Sequence, residues 1–533
     1  MLDDQHSAGR WRSAFWMLFS AVFLFRLWFV SSLPLSGDEA YHWEWSRHLA
    51  WGYYDHPPLT AFLIWCATAV FGRSAEFTVR LPALLMLSGT AAICWHCARH
   101  VVKARGGEPA AAERAGFLAG FLVLVVPIFA GLAVYMSTDP PLILFWTLAL
   151  CSFYHAVNGR SWWAWVVFGA AVGLALTSKL LAFLLLPGLA AFLLASPDDR
   201  AWWREPQLYV AAAVGAVVFA PFVFWNAAHE WATFMFNFVY RQRAAGGFSV
   251  RFVPEFLLGQ MLALSPLIFG LAVVCLMQGV VARRERRDRA VFLLALSGWF
   301  PLLYFLYVSF RRRVGLHWPA AGWVGPLLAL AVCWAEAPPD RRRVWGRWTV
   351  AGASLACAVT ALMHGLVHIP ASWLEVDWSY PGSPSRINIR QHVERFGWRE
   401  LGRKVETVRD EMLAAQRAQR IGERGVFVIG SEYGLTALVA FYTPSQLPTH
   451  LWSPRKTHGE NYRFWDRFDK FKGMDAVYVT KRESSAREAV AKLREHFREV
   501  MAPEEVPITV QGRQLRSFYL IRCFGFDGRA PVW

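Results

Sequence analysis

Long apolar runs recur along the first two thirds of the chain and then largely stop. They lie at 15–33, 79–98, 115–136, 140–157, 162–177, 180–196, 207–225, 256–281, 290–308, 318–335 and 348–369. A run of ~20 apolar residues crosses a bilayer as a helix, so the pattern predicts a polytopic α-helical membrane protein with about eleven spans. One further run, Leu59–Phe71, is only about thirteen residues long. That is roughly 20 Å of helix, short for a crossing, and reads as a helix lying along the outer interface. After about residue 370 the periodicity changes. Val426-Phe427-Val428-Ile429, Ala476-Val477-Tyr478-Val479 and Ser517–Ile521 read as strands, while Leu401–Ile421 and Ala486–Phe497 read as helices. The expectation is a membrane domain over 1–370 and an extracytoplasmic α/β domain over 371–533. Gly430 stands alone after a strand, with no glycine-rich nucleotide loop. The tail therefore reads as a structural or acceptor-guiding domain.

Charge orients the spans. With Leu59–Phe71 kept out of the membrane, the basic loops share one side. They are Arg99, Lys103, Arg105 and Arg114; Arg200 and Arg204; Arg283, Arg284, Arg286, Arg287 and Arg289; and Arg341, Arg342 and Arg343. The positive-inside rule makes that side cytoplasmic. The N-terminus is then inside, and Asp38, Glu39, Asp55, Asp139 and the C-terminal domain are outside. The formal charge of +16 thus reads as topology and contact with membrane lipids, not as nucleic-acid binding. Arg10 and Arg12 precede the first run without a small-residue cleavage site after it, as in a retained first span.

Of the eight cysteines, only Cys523 lies in the tail; the others fall in or beside apolar runs, which argues against a disulfide framework. Cys94 and Cys97 have metal-like spacing but no second pair nearby, and read as apolar helix packing.

The candidate chemistry gathers in the outer loops. Ser36-Gly37-Asp38-Glu39 follows the first span, and Gly52-Tyr53-Tyr54-Asp55-His56-Pro57-Pro58 comes soon after. Carboxylates at a membrane surface are usually kept for a task; the plainer alternative is a helix cap built from Ser36 and Asp38. Asp139, in Ser137-Thr138-Asp139-Pro140-Pro141, is open to the same two readings. Lys179 lies between two apolar runs, where a lysine snorkels to the interface or meets phosphate. Arg311-Arg312-Arg313 lies outside, against the positive-inside trend, which points to a bound anion or to lipid headgroups. Arg241 and Arg243 occupy another outer loop.

The order of these motifs resembles the integral-membrane glycosyltransferases of the C-type fold. That group includes the protein O-mannosyltransferases (glycosyltransferase family 39) and the bacterial aminoarabinose and galacturonic acid transferases acting on lipid A. Besides the Asp38-Glu39 pair, the resemblance rests on Tyr53–Leu59, Phe71-Gly72, Arg80-Leu81-Pro82, Thr177-Ser178-Lys179, Trp225–Ala232 and His317-Trp318-Pro319-Ala320. It covers roughly residues 10–330. It implies transfer of a sugar, with inversion, from a polyprenyl-phosphate donor to lipid A, a polysaccharide or a protein outside the cytoplasmic membrane. Asp38 is then the general base, Glu39 its neighbour in holding or orienting the acceptor, and Asp139 a further site carboxylate. Tyr54, Asp55, His56, Lys179, Arg241, Arg243, Arg311, Arg312, Arg313 and His317 are the substrate-binding candidates. At His56 the aminoarabinose branch often carries Lys, so a constant positive charge is not expected there. No cofactor is implied; a divalent ion held among Asp38, Glu39, His42, Asp55 and His56 is the alternative. The competing class is a transporter or flippase of lipid-linked sugars, but no inverted repeat is visible.

Overall fold

The computed structural model describes residues 2–241, 247–281, 289–366, 395–418, 424–452, 461–510 and 513–529. Arg243, the basic cluster Arg283–Arg287 and the stretch where the tail was expected to begin lie outside the described residues. The chain divides into two compact units. One comprises Met1–Ser31, Ala50–Val70 and Phe77–His364; the other comprises Ser32–Leu49, Phe71–Glu76 and Gly365–Trp533. The helix bearing Asp38 therefore belongs to the same unit as the C-terminal residues.

The first unit is helical. Among the described residues six helices are long and apolar enough to cross a membrane: Gln5–Phe29, Glu76–Ala104, Asp139–Gly159, Pro206–Ala228, Arg289–Ser309 and Pro339–Leu366. Two bent pairs, Leu180–Ala195 with Pro197–Arg204 and Val250–Leu264 with Pro266–Gly279, raise the number to eight if each is one span. Leu59–Phe71, Trp162–Ser178 and Ala320–Glu336 are shorter apolar helices.

Where an apolar run is not one straight helix, a proline marks the break. The run 115–136 divides into Pro109–Val125 and Pro127–Leu132. Pro127 has no N–H to give to the preceding turn, which leaves carbonyls to be satisfied otherwise. Arg26, from the first helix, donates through Nη2 to Leu124 O at 2.5 Å. Thr360 Oγ1 donates to Val125 O at 2.8 Å. The run 256–281 bends at Ser265, whose φ of 75° ends one helix just before Pro266. Helices cross closely where residues are small: a Cβ on Gly169 would lie 2.1 Å from Ala211 O of Pro206–Ala228.

The second unit is α/β. Its six-stranded sheet runs β2-β1-β3-β6-β4, with β5 pairing β6. The strands are β1 (Val426–Gly430), β2 (Thr449–Leu451), β3 (Asp475–Thr480), β4 (Phe497–Val500), β5 (Glu504–Val510) and β6 (Arg513–Phe526). β1 pairs in parallel with β2 and β3; β6 pairs antiparallel with β3, β4 and β5. Val426–Gly430 and Asp475–Thr480 are buried along their whole length, as expected of central parallel strands covered on both faces. The helix expected over 486–497 runs Glu483–Leu493, and Phe497 instead starts β4. Helix Tyr433–Tyr442 is not predicted by the sequence pattern. It is buried from Leu435 to Tyr442 and so lacks a polar face to betray its period.

Candidate functional site

The candidates fall into two groups, one in each unit. In the helical unit the loop through Asp55 is held from behind by one segment. Asn226 lies in the last turn of helix Pro206–Ala228: its Oδ1 accepts from Thr233 N at 3.0 Å and its carbonyl accepts from Trp231 N at 2.7 Å. This fold-back places Glu230 and Trp231 in the left-handed region, at φ 55° and 57°. Thr233 Oγ1 then donates to Tyr53 O at 2.6 Å, and Asn237 Nδ2 donates to Asp55 O at 3.0 Å. The Tyr54 ring meets Phe236 at 5.1 Å. Gly52 lies flat on Trp225, where a Cβ would come within 2.3 Å of the indole. In the turn itself Tyr53 N donates to His56 O at 3.1 Å.

Met235–Tyr240 winds as a π-helix, a form that favours functional positions, and delivers Arg241. The Arg241 guanidinium lies over Trp318 at 4.9 Å and Phe236 at 5.9 Å. Arg312 lies over the same Trp318 at 5.6 Å and donates through Nη1 to Arg241 O at 3.3 Å. Two guanidinium groups thus share one indole. Burial, then repulsion from Arg312, lowers the Arg241 pKa; Asp55 opposes the shift. Burial likewise lowers that of Arg312. Arg312 Nε is buried with no hydrogen-bond partner among the described residues. The other two arginines of the run point elsewhere. Arg313 pairs with Glu255 at 2.7 Å, both well exposed, and Arg311 is exposed over Tyr307 at 5.9 Å.

His317, next to Trp318, leads to Asp139. Asp139 opens its helix but does not cap it; Thr138 holds the N-cap position. The Asp139 carboxylate is 1% exposed and meets Lys179 Nζ at 2.7 Å, His317 Nε2 at 3.6 Å and Ser137 Oγ at 3.4 Å. Lys179 reaches it from an extended break after helix Trp162–Ser178, with φ −159°. A buried carboxylate is tolerable only when paired and hydrogen-bonded, and Lys179, His317 and Ser137 supply both.

In the second unit Asp38 and Glu39 have separate fates. Ser36 Oγ accepts from Glu39 N at 3.2 Å and Glu39 Oε2 accepts from Ser36 N at 3.0 Å, a reciprocal cap at the start of helix Gly37–Arg47. Glu39 is fully buried; Asp38 is exposed, and its Oδ1 accepts from Tyr433 OH at 2.7 Å. The helix is anchored further along. Asn461 Nδ2 donates to Tyr41 OH at 2.6 Å, and Leu35 N, just before the helix, donates to Tyr442 OH at 2.7 Å.

Its C-terminal end adjoins a titratable cluster whose carboxylates, Glu44 and Asp466, are buried. Glu44 pairs with Arg47 at 2.9 Å, and His450 Nδ1 with Asp466 Oδ1 at 2.7 Å. Burial, aided by Asp466 and opposed by Arg47 and His450, pushes the Glu44 pKa up to about 7. Burial also raises Asp466, and lowers His48 to about 4. A carboxyl raised on folding favours the folded state when protonated. Its contribution is full below the unfolded value and is lost as pH rises through about 7. Glu44 should therefore add more to the melting temperature at pH 5.5 than at pH 8, while His48, lowered on folding, acts in the opposite sense over the same range. Glu44→Gln should remove the Glu44 part, so its melting temperature relative to the unmodified protein should be lower at pH 5.5 than at pH 8; thermal scans of both proteins check it, and a difference that does not change with pH removes Glu44 as a source.

Among the described residues no group of three or more His, Cys, Asp and Glu side chains is placed to hold a metal ion. Trp318, Asn237 and Tyr433 were not among the sequence candidates. Trp318 belongs to the motif His317-Trp318-Pro319-Ala320, but only the structure puts both arginines on its ring.

Fold and site together define a polytopic helical membrane protein that gathers carboxylates and cations in the segments linking its helices. The family of dolichyl-phosphate-mannose-protein mannosyltransferases matches residues 55–225. The chain is 27% identical over 327 residues, 60% of its length, to the lipid A galacturonosyltransferase RgtD of Rhizobium johnstonii. It is 28% identical over 283 residues, 51% of its length, to the undecaprenyl phosphate-alpha-4-amino-4-deoxy-L-arabinose arabinosyl transferase of Pseudomonas aeruginosa. The matched stretches span 66% and 48% of those two proteins. The crystal structure of ArnT from Cupriavidus metallidurans bound to undecaprenyl phosphate superposes with a TM-score of 0.62 at 16% identity, covering 96% of this chain and 98% of that one. In sequence over residues 55–225, and in fold over nearly its whole length, the chain is similar to glycosyltransferases of this C-type fold.

Proposed function

We propose that this protein transfers a sugar from a polyprenyl-phosphate donor to lipid A on the outer face of a bacterial cytoplasmic membrane, with inversion at the anomeric carbon. The observation that carries this reading is the pair of guanidinium groups, Arg241 and Arg312, on Trp318. Adjacent like charges favour an anion beside them, and guanidinium suits phosphate geometry. As the sugar leaves, the lipid phosphate gains charge, which fixed cations stabilise. Asp38 takes the proton of the attacking acceptor hydroxyl. Asp139 orients Lys179 and His317, and Asp55 faces the charge of Arg241. Glu39 acts by fixing the start of the helix that carries Asp38. Relatives named for lipid A and for an undecaprenyl-phosphate aminoarabinose donor support the choice of substrates.

The test compares lipid A by mass spectrometry from cells with and without the chain. The purified protein is then given undecaprenyl-phosphate galacturonic acid or 4-amino-4-deoxy-L-arabinose. A sugar-sized mass increment that depends on the chain is the expected result. Lipid A of identical mass in both cells, with no transfer from either donor, sinks the reading.

Eleven crossings are proposed: the six long helices, the two bent pairs, Trp162–Ser178, Ala320–Glu336, and Pro109–Val125 with its continuation. The N-terminus is then cytoplasmic and residues 395–529 extracytoplasmic. Ser484 is exposed on helix Glu483–Leu493. In a Cys66→Ser background, Ser484→Cys should react with a membrane-impermeant maleimide in intact spheroplasts. Reaction only after lysis reverses the topology.

A further inference from the structure

We propose that the C-terminal part of the chain takes a direct part in the transfer: Tyr433 is a positioning residue that fixes the orientation of the Asp38 carboxylate. The assignment rests on the reading of Asp38 as the base.

The contact is built by the backbones of two helices. Gly37 begins helix Gly37–Arg47 and Gly434 lies in the first turn of helix Tyr433–Tyr442. A Cβ on Gly37 would lie 3.0 Å from Gly434 Cα, and one on Gly434 would lie 3.2 Å from Gly37 Cα. A side chain at either position would crowd the facing backbone, so glycine at both favours this close approach. Each glycine is followed or preceded by a functional side chain: Asp38 comes after Gly37, and Tyr433 before Gly434. The close approach therefore brings Tyr433 OH to 2.7 Å from Asp38 Oδ1. The Tyr433 ring packs on Tyr41 at 5.0 Å, and Tyr41 in turn stacks on Tyr462 at 6.0 Å. The hydroxyl is thus held from behind by aromatic packing.

The chemistry gives this bond a purpose. An exposed carboxylate rotates about χ2 and presents either oxygen in many directions. A general base must meet the acceptor proton within hydrogen-bond reach in one geometry. A phenol donating to Oδ1 opposes that rotation and favours one presentation of the carboxylate. Small losses of orientation are costly in such steps. Tyr433 keeps its own proton throughout; the proton that moves is the acceptor's.

Three variants of the full-length protein separate the possibilities, assayed with the undecaprenyl-phosphate sugar that supports transfer to lipid A. Tyr433→Phe keeps the ring and deletes the donor. It should lower kcat by about 10- to 100-fold, with the KM for the donor and the melting temperature unchanged. Tyr442→Phe deletes a hydroxyl that clamps Leu35 and Glu76 in the same unit without touching Asp38. It should lower the melting temperature and leave kcat within about threefold, the expected signature of a merely structural hydroxyl. Asp38→Asn reports on the underlying reading. If Asp38→Asn is inactive while Tyr433→Phe turns over like the unmodified protein, the positioning role is wrong and the base stands. If Tyr433→Phe loses melting temperature and activity together, as a clamp would, the role is also overturned. If Asp38→Asn is active, the base assignment itself fails, whatever Tyr433→Phe does.

Discussion

Asp38→Asn should express, insert and melt like the unmodified protein, yet lose at least the ~10²-fold in turnover that general-base removal costs. The substitution keeps size and shape. The position is exposed, and the cap that starts its helix is made by Ser36 and Glu39. Asparagine keeps an oxygen that can accept from Tyr433 OH, so a loss of transfer at an unchanged melting temperature reports on proton acceptance. Glu39 offers the contrast. Glutamine also serves at the third position of a capping box, so Glu39→Gln should retain much of the activity. Glu39→Ala empties the box and should cost about 0.5–2 kcal/mol of stability, the usual range for lost capping. Transfer by purified variants, beside their thermal midpoints, checks both statements. Near-normal turnover in Asp38→Asn removes the assignment and transfers the question to Asp139 and Asp55.

Local signals were legible in the sequence. Ser36 and Glu39 stand at capping-box spacing before an aromatic run, and the apolar runs locate the helices, although the first begins at Leu2 and the last of the helical unit at Pro339, well before their apolar stretches. Pro127 and Pro266 were equally visible, but counting hydrophobic residues hides what a missing N–H does to a helix. At Pro127 the resulting break is repaired by Arg26 and Thr360, from helices far away in sequence. The site was legible as a set of residue types and not as pairings. Nothing near Lys179 announces Asp139, 40 positions earlier. The basic run could not say which arginine turns inward. That follows from Arg313 meeting Glu255 and Arg312 meeting Trp318, contacts set by how the helices return. Tyr433 lay furthest from reach, 395 residues from its partner. Its one advance sign is a glycine beside each residue of the pair, and that becomes meaningful only once the two backbones are seen to touch.

Replacing both Arg241 and Arg312 by glutamine should abolish productive use of the donor. Each guanidinium rests on Trp318, and burial has already made each charge costly to keep. A protein retains two costly like charges side by side when an anion offsets them. The glutamines remove the charge and leave Trp318, Phe236 and the loop contacts of Asn237 in place, so the fold should persist. Binding of undecaprenyl phosphate should weaken, and turnover should fall further than binding does. The phosphate carries more charge in the transition state than in the bound donor, and only interactions that strengthen there accelerate the step. Each single variant should lose less than the pair. Arg→Lys at either position should recover only part, because a planar fork becomes a point charge. Arg311→Gln and Arg313→Gln form the control, since those side chains point to solvent or to Glu255 and should leave turnover nearly intact. Titration of the purified variants with undecaprenyl phosphate, beside single-turnover transfer, makes the comparison. If the Arg241→Gln, Arg312→Gln protein binds and reacts like the parent, the paired cations serve packing alone, and Lys179 becomes the cation to test at the leaving phosphate.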